Sequence, residues 1–387
     1  MSFFKDRNCY LKNYNLSLIE KIKHFNYAYL GLICLVVSVG IMTLYSAGGG
    51  SWTPWASRQF IRFLMGLGIL CAVALINLRF WMRYAYGFYF IAFILLICVT
   101  LFGRVGMGAQ RWLDLGFFQL QPSELMKIAL ILAIARYFHG ASIQEVRSVR
   151  FLIPPALMMA IPVALILEQP DLGTALMLVF ATVGLFFVAG VQIWKFVLVG
   201  GLSLGSLPII WSCLHEYQKL RVLTFLDPER DPYGAGYHIL QSKIALGSGG
   251  ILGKGFMQGT QSRLSFLPEK QTDFIFTMIC EEFGLFGAFF LCFLYALVIG
   301  YGFVIAQRAN SFFGKLLAVG LTINFALYVF INMSMVMGLM PVVGIPLPLI
   351  SYGGTAMVTL FIGFGLIQCV YINRDMVIGR RGSIDDK

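Results

Sequence analysis

The stretch "FLIPPALMMAIPVALILEQPDLGTALMLVFATVGLFFVAG" (151–190) is apolar over most of its length and is interrupted once, by "LEQPDLGT". About 20 apolar residues carry a helix across a bilayer. This run therefore reads as two spans, with Glu168, Pro170 and Asp171 forming a tight polar turn between them. The composition agrees with a chain built for lipid. Of 387 residues, 59% are hydrophobic and 12% are charged, against about 25% charged in soluble domains. Thirty-five phenylalanines cannot be hidden in one soluble core, so the class is a polytopic membrane protein. Eight cysteines are scattered without a C-x-x-C pair, and four histidines stand far apart. That pattern predicts neither a disulfide framework nor a metal site. The first 26 residues are polar, and the apolar run that follows is longer than the core of a cleavable signal peptide.

Working outward, spans are expected near 27–47, 60–77, 84–102, 122–138, 151–167, 171–190, 196–212, 279–306, 316–336 and 349–373, ten in all. With the N-terminus inside, the inner segments carry 17 Lys and Arg, while the short outer loops 48–59 and 103–121 carry only Arg58, Arg104 and Arg111. This is the asymmetry expected of cytoplasmic loops. An even number of spans returns the C-terminus to the same side. The net charge of +11 thus marks orientation and predicts no nucleic-acid partner. The chain reads as one membrane domain: a cytoplasmic tail (1–26), seven spans (27–212), a long outer loop (213–272), three spans (273–373) and a second tail (374–387).

Polar chemistry gathers in the outer loop. Its segment "YHILQSKIALGSG" (237–249) alternates at helical spacing and is expected to lie as an amphipathic helix on the bilayer surface. The glycines of "GSGGILGKG" (247–255) do not make a phosphate loop. Ser248 and Gly255 stand where that motif needs Gly and Ser or Thr. They read instead as turn residues. Few residues of the loop can pack in a core, so by itself it is expected to be mobile.

Three acidic points border the apolar runs. In "FLPEKQTDFIF" (266–276), Asp273 opens a 34-residue segment ending at Ala306. As one helix it would be roughly 51 Å long, against a hydrocarbon core of about 30 Å. Phe283 to Ala306 spans alone, which puts Asp273 at the outer boundary, at the start of a helix or of a short dipping segment. It can be a first-turn acid behind an N-cap Thr272, or it can do chemistry. In "QPSELMKIALILA", Glu124 and Lys127 lie three apart on one helix face. Gln121 or Ser123 can cap that helix, and Pro122 suits its first turn. The pair is either a structural ion pair or the polar wall of a cavity. Asp171, beside Glu168, suits a helix cap. Glu281 and Glu282 have no partner that can be named from sequence.

The motifs "AQRWLDLGFFQLQPSELMKI" (109–128), "EQPDLGTAL" (168–176), "RVLTFLDPERDPYGAGYHILQSKIALGSGG" (221–250), "GTQSRLSFLPEKQTDFIF" (259–276) and "PLPLISYGGT" (346–355) resemble the SEDS family of bacterial cell-wall polymerases, its elongation branch more than its division branch. The resemblance covers nearly the whole chain. It implies an all-α SEDS fold of ten transmembrane helices with one long extracytoplasmic loop, in the bacterial inner membrane. The implied activity is peptidoglycan glycosyl transfer during cell elongation. Lipid II is polymerised on the periplasmic side, and undecaprenyl pyrophosphate leaves. The resemblance makes Asp273 the residue required for activity and carries over Glu124, Lys127, Asp171 and Arg111. Gln110 replaces an Arg frequent in the family, so only Arg111 of that pair is carried over. The implied partners are a class B penicillin-binding protein (penicillin-binding protein 2) and the elongation machinery.

Elementary chemistry fits this expectation. Glycosyl transfer needs a base near the acceptor hydroxyl, and Asp273 stands where the long loop meets the membrane. A pyrophosphate leaving group needs cations, and position offers Arg111, Lys243 and Arg263. Asp273 either takes the proton directly or holds a divalent cation, Mg²⁺ or Mn²⁺. The rival reading is a transporter, a flippase for the lipid-linked precursor.

Overall fold

The computed structural model describes residues 17–106, 109–114, 119–206, 208, 211–212, 216–230, 234–260 and 270–379. The interrupted run is a helical hairpin: α7 (Val149–Glu168) and α8 (Leu172–Val188) flank a turn at Gln169–Asp171. Asp171 is the N-cap of α8, and its side chain accepts from the Thr174 amide, as a cap does.

Before the hairpin come α1 (Leu18–Lys23), α2 (Tyr27–Ala47), α3 (Trp55–Leu75), α4 (Leu78–Phe102), α5 (Pro122–His139) and α6 (Ile143–Arg147). After it come α9 (Ile193–Gly205), α10 (Glu216–Leu226), α11 (Ala235–Ser248), α12 (Ile275–Arg308), α13 (Phe312–Val336) and α14 (Gly354–Ile372). Among the described residues, seven helices are long and apolar enough to cross a membrane: α2, α3, α4, α7, α12, α13 and α14. Helices α5, α8 and α9 coincide with the other three segments expected to span. α5 carries three charges, and the other two are shorter, with 17 and 13 residues.

Three helices form the centre. α5 is buried around most of its circumference, and α13 and α14 are nearly as enclosed. α4 and α13 pack on α5, and α14 packs on α3. The periphery is apolar and exposed: Val197, Leu198, Val199 and Leu202 of α9, and Phe286, Phe289, Phe290 and Phe293 of α12. That is the pattern of helices facing hydrocarbon. One feature of the 103–121 loop was not foreseen. It holds an antiparallel sheet of β1 (Arg104–Gly106), β2 (Ala109–Asp114) and β3 (Gln119–Leu120), with Arg104 opposite Trp112 and Leu113 opposite Leu120.

α12 is not one straight rod. Gly284 breaks it with φ 64° and ψ −157°, a conformation only glycine adopts at ease. The half before the break, Ile275–Phe283, is almost wholly enclosed by protein. The half after it exposes its phenylalanines. The expectation is the start of a helix or a short dipping segment ahead of a separate piece; the structure has a short helical piece, Ile275–Phe283, followed after Gly284 by a longer one.

Two expectations for the outer loop need correction. α11 does not lie on bilayer alone. It packs on α12, and Ser242, fully buried, hydrogen-bonds Thr277 at 3.1 Å and donates to the Val336 carbonyl at 2.8 Å. The glycines following it do more than turn the chain. A Cβ on Gly249 would run into the Cys280 carbonyl, one on Gly253 into the Glu282 carbonyl, and one on Gly284 into the Gly253 amide. This part of the loop packs backbone against backbone, so the premise that it cannot pack fails for 234–260.

Candidate functional site

Proline at the first turn of α5 places Glu124 and Lys127 one turn apart, as expected, although neither Gln121 nor Ser123 provides a side-chain cap. Both side chains are buried, at 5% and 2% exposure. Charges so placed require full satisfaction. Lys127 Nζ meets Glu124 Oε1 at 2.7 Å. Tyr328, from α13, stands between them: its hydroxyl donates to Glu124 Oε2 and accepts from Lys127 Nζ. Its ring also receives the ammonium, 4.2 Å from the centroid. Thr359 of α14 adds a hydrogen bond to Glu124 Oε2 at 3.3 Å. Asn324 joins these groups around a cavity of about 20 Å³, room for roughly one water.

Next to this network, Arg111 reaches from β2 to the hairpin turn. Its Nε donates to the Gln169 carbonyl at 3.3 Å, its Nη2 donates to the Pro170 carbonyl, and Nη1 lies 4.0 Å from Asp171 Oδ1. Asp171 also accepts from Thr174 Oγ1 at 2.8 Å and from Gln121 Nε2 at 3.4 Å. The guanidinium expected to meet a leaving group is thus engaged in clamping the turn between α7 and α8. Through Gln121 the clamp joins the start of α5.

Asp273 sits in the turn before α12. The reading of Thr272 as an N-cap is incorrect: the helix begins at Ile275, with Phe274 at the cap position and no side-chain cap. The turn is pinned by other elements. Asn332 Nδ2 donates to the Asp273 carbonyl at 2.9 Å and to the Ile345 carbonyl at 2.7 Å. Ser351 Oγ donates to the Thr272 carbonyl at 2.6 Å, and the Tyr352 amide donates to the Gln271 carbonyl at 2.9 Å. Gly344, at φ 74°, lies beside the carboxylate, the position of its absent Cβ being 3.5 Å from Asp273 Oδ2. Burial lowers the pKa of Lys270, in the same turn.

Lys243 of α11 lies across Gly338, just beyond the end of α13, its Nζ 2.8 Å from where a Cβ would stand. A cation there favours the carbonyl end of the helix. Arg263 lies outside the described residues. A resident Mg²⁺ or Mn²⁺ takes about six ligands. Among the described residues no three His, Cys, Asp or Glu side chains converge. The described residues thus offer no all-protein cage, and an ion carried by a substrate's phosphates would need only one or two carboxylates, such as Asp273, beside its waters.

The structure brings Glu124 with Lys127, and Arg111 with Asp171. It connects Asp273 to the first pair through α13, which carries Tyr328 and Asn332 one turn apart. Asn332 could have been flagged from sequence, because an amide inside an apolar run is a functional candidate by default. Tyr328 gave no comparable signal, since a tyrosine in such a run reads as core. Glu281 and Glu282 prove to be buried acids. Lys254 bonds the first at 2.7 Å, and Ser46 donates to the second.

Residues 21–375 match the FtsW/RodA/SpoVE family, described as cell cycle proteins. The peptidoglycan glycosyltransferase MrdB of Escherichia coli K12 is 41% identical over 364 residues, covering 92% of this chain and 95% of MrdB. Among solved structures, a chain from a peptidoglycan synthase complex that coordinates polymerization and crosslinking superposes with a TM-score of 0.79 at 32% identity, covering 90% of this chain and 98% of that one. The Thermus thermophilus rod shape determining protein RodA superposes with a TM-score of 0.68 at 27% identity, over 90% and 97% of the two chains.

Proposed function

This chain belongs to the FtsW/RodA/SpoVE family, and from that premise we infer that it is a peptidoglycan glycosyltransferase polymerising lipid II into glycan strands during cell elongation. The observation that carries the reading is the turn of Asp273, pinned by Asn332, Ser351 and Tyr352 and linked through one helix to a buried polar network.

In this reading ten helices span the bacterial inner membrane, with α5, α8 and α9 added to the seven long ones, and both termini are cytoplasmic. The Lys and Arg asymmetry supports that orientation. It puts Asp273 on the periplasmic side, where the acceptor 4-hydroxyl gives up its proton to Asp273 while attacking the anomeric carbon of the donor sugar. The bond to pyrophosphate breaks as the glycosidic bond forms. General-base help of this kind contributes about 10²–10⁴-fold. Lys243, Lys270 and Arg263 are the cations available to the leaving pyrophosphate. Arg111 and Asp171 act on the site by holding the hairpin turn. Glu124 and Lys127 form the polar wall of the substrate cavity, which requires the space of about 20 Å³ beside them to widen when substrate binds. The lipid tail has a matching surface: an apolar cavity of about 260 Å³ among α3, α4, α5 and α14, lined in part by Val73, Trp81, Phe88, Leu125, Ile128 and Leu366.

The partner in this reading is penicillin-binding protein 2 within the elongation machinery. It raises the polymerisation rate by binding, without its own transpeptidase chemistry. The test compares initial rates of lipid II polymerisation, read on a gel, for the purified chain alone, with wild-type partner, and with a partner lacking its catalytic serine. Polymer that is stimulated equally by both partners is the expected result. Lipid II translocation with no polymer would overturn the glycosyltransferase reading in favour of a transporter.

A further inference from the structure

The break in α12 is filled by the loop that follows α11. Four groups that a broken helix leaves without intrahelical partners are taken up there. The Leu285 amide donates to the Gly250 carbonyl at 3.0 Å, and the Phe286 amide donates to the Ile251 carbonyl at 3.3 Å. In return, the Lys254 amide donates to the Glu281 carbonyl and the Gly255 amide to the Glu282 carbonyl, both at 3.0 Å. Glycine at 249, 253 and 284 is what lets the two backbones come this close.

The side chain of Lys254 then adds a bond the backbone does not need. Its Nζ meets Glu281 Oε1 at 2.7 Å and Thr260 Oγ1 at 2.7 Å, and Thr260 donates to the same carboxylate oxygen at 3.1 Å. Glu281 is only 1% exposed. A buried ion pair gives little net stability over an apolar pair of the same shape. What it does supply is direction, because a carboxylate held by an ammonium and a hydroxyl has one orientation.

We propose that Lys254 and Glu281 are positioning residues for Asp273: their ion pair fixes the rotation of the half-helix Ile275–Phe283, and with it the direction in which the Asp273 carboxylate leaves the turn at the head of that half-helix. The half-helix is about 13 Å long, short enough to turn as a rigid body. Its head is held through Asn332 and Ser351, and its foot through the four backbone bonds, to which Lys254 Nζ adds a side-chain hold on Glu281. Without that hold the foot keeps its backbone attachments and loses the contact that trims its rotation. The role assigned to Asp273 rests on the glycosyltransferase reading.

The test uses the full chain with lipid II, and hydrogen exchange of amides 275–283 as a readout independent of activity. Lys254→Ala is expected to lower kcat about 10²-fold while KM stays within about threefold, and Lys254→Arg to restore most of the rate. Lys254→Ala also takes an ammonium away from the buried Glu281, so a second variant separates folding from positioning. Lys254→Met/Glu281→Gln removes both charges. It should recover the wild-type Tm, keep the low kcat, and exchange faster across 275–283. Recovery of kcat together with Tm would reduce the pair to a folding role and overturn the proposal, as would unchanged exchange in the double variant. A wild-type chain that makes no polymer, beside a double variant that exchanges faster, would leave the clasp standing and remove the glycosyltransferase reading.

Discussion

The side-chain amide of Asn332 and the main-chain carbonyl of Asp273 are 2.9 Å apart, and the same nitrogen donates to the Ile345 carbonyl at 2.7 Å. One fully buried side chain thus joins the turn of Asp273, the body of α13 and the segment leading to α14. Four residues earlier on the same helix, Tyr328 touches Glu124 and Lys127. α13 is the spine along which the boundary acid and the buried pair keep a fixed relation.

Asn332→Leu keeps the approximate shape and removes both donors. An unsatisfied buried carbonyl costs about 1–3 kcal/mol, so the melting temperature should fall. Polymerisation should drop about 10²-fold through misplacement of Asp273. Thermal unfolding and initial rates on one preparation check both; a wild-type rate would show that the turn holds without this amide.

Asp273→Asn retains size and removes basicity. The variant should insert and melt like the parent, and lose about 10²–10⁴-fold in rate. Near-normal polymer from it would return Asp273 to a structural role.

Removing one partner of a buried ion pair costs about 3–5 kcal/mol. Glu124→Ala and Lys127→Ala should therefore each destabilise severely. The double substitution should melt closer to the parent and, if the pair walls the substrate cavity as proposed, still make no polymer. Tyr328→Phe leaves the ion pair and the ring contact in place but removes two hydrogen bonds to charged groups, each worth about 1.5–3 kcal/mol, so its rate should fall by about tenfold or more. A double variant with restored polymer would refute the cavity role.

Reporter fusions after His139 and at the C-terminus should read cytoplasmic, and one near Gly234 should read external. An external C-terminus would be incompatible with ten spans.

Apolar run length made most of the helices legible, because lipid imposes a strong and simple pattern. The hairpin at 151–190 was readable from Pro170 and Asp171 alone. The break at Gly284 was foreseen only as a length excess: 34 residues are too many for one crossing, yet nothing in "EEFGLFG" says which glycine takes positive φ. The sheet carrying Arg111 was missed because "AQRWLD" is too short to show a period. Glu124 with Lys127 was legible because both lie on one helix. Tyr328, Asn332, Lys254 and Ser46 were not, since each meets its partner across the fold, and sequence spacing carries no record of such contacts.

The buried acid on α5 has a consequence for biosynthesis. Tyr328 and Thr359, which complete the shell around Glu124, are encoded 204 and 235 residues after it. At about 5–20 residues per second, Tyr328 is made roughly ten to forty seconds later. Until then the acid, in the first turn of α5, has only the lysine of its own helix set against it, and the bonds that Tyr328 and Thr359 make to its second oxygen are missing. A buried charge without full satisfaction is costly. The polar core around α5 is therefore completed only when α13 and α14 arrive, so a chain interrupted before Phe312 should leave Glu124 and Lys127 open to solvent even though the codons of α5 have been read.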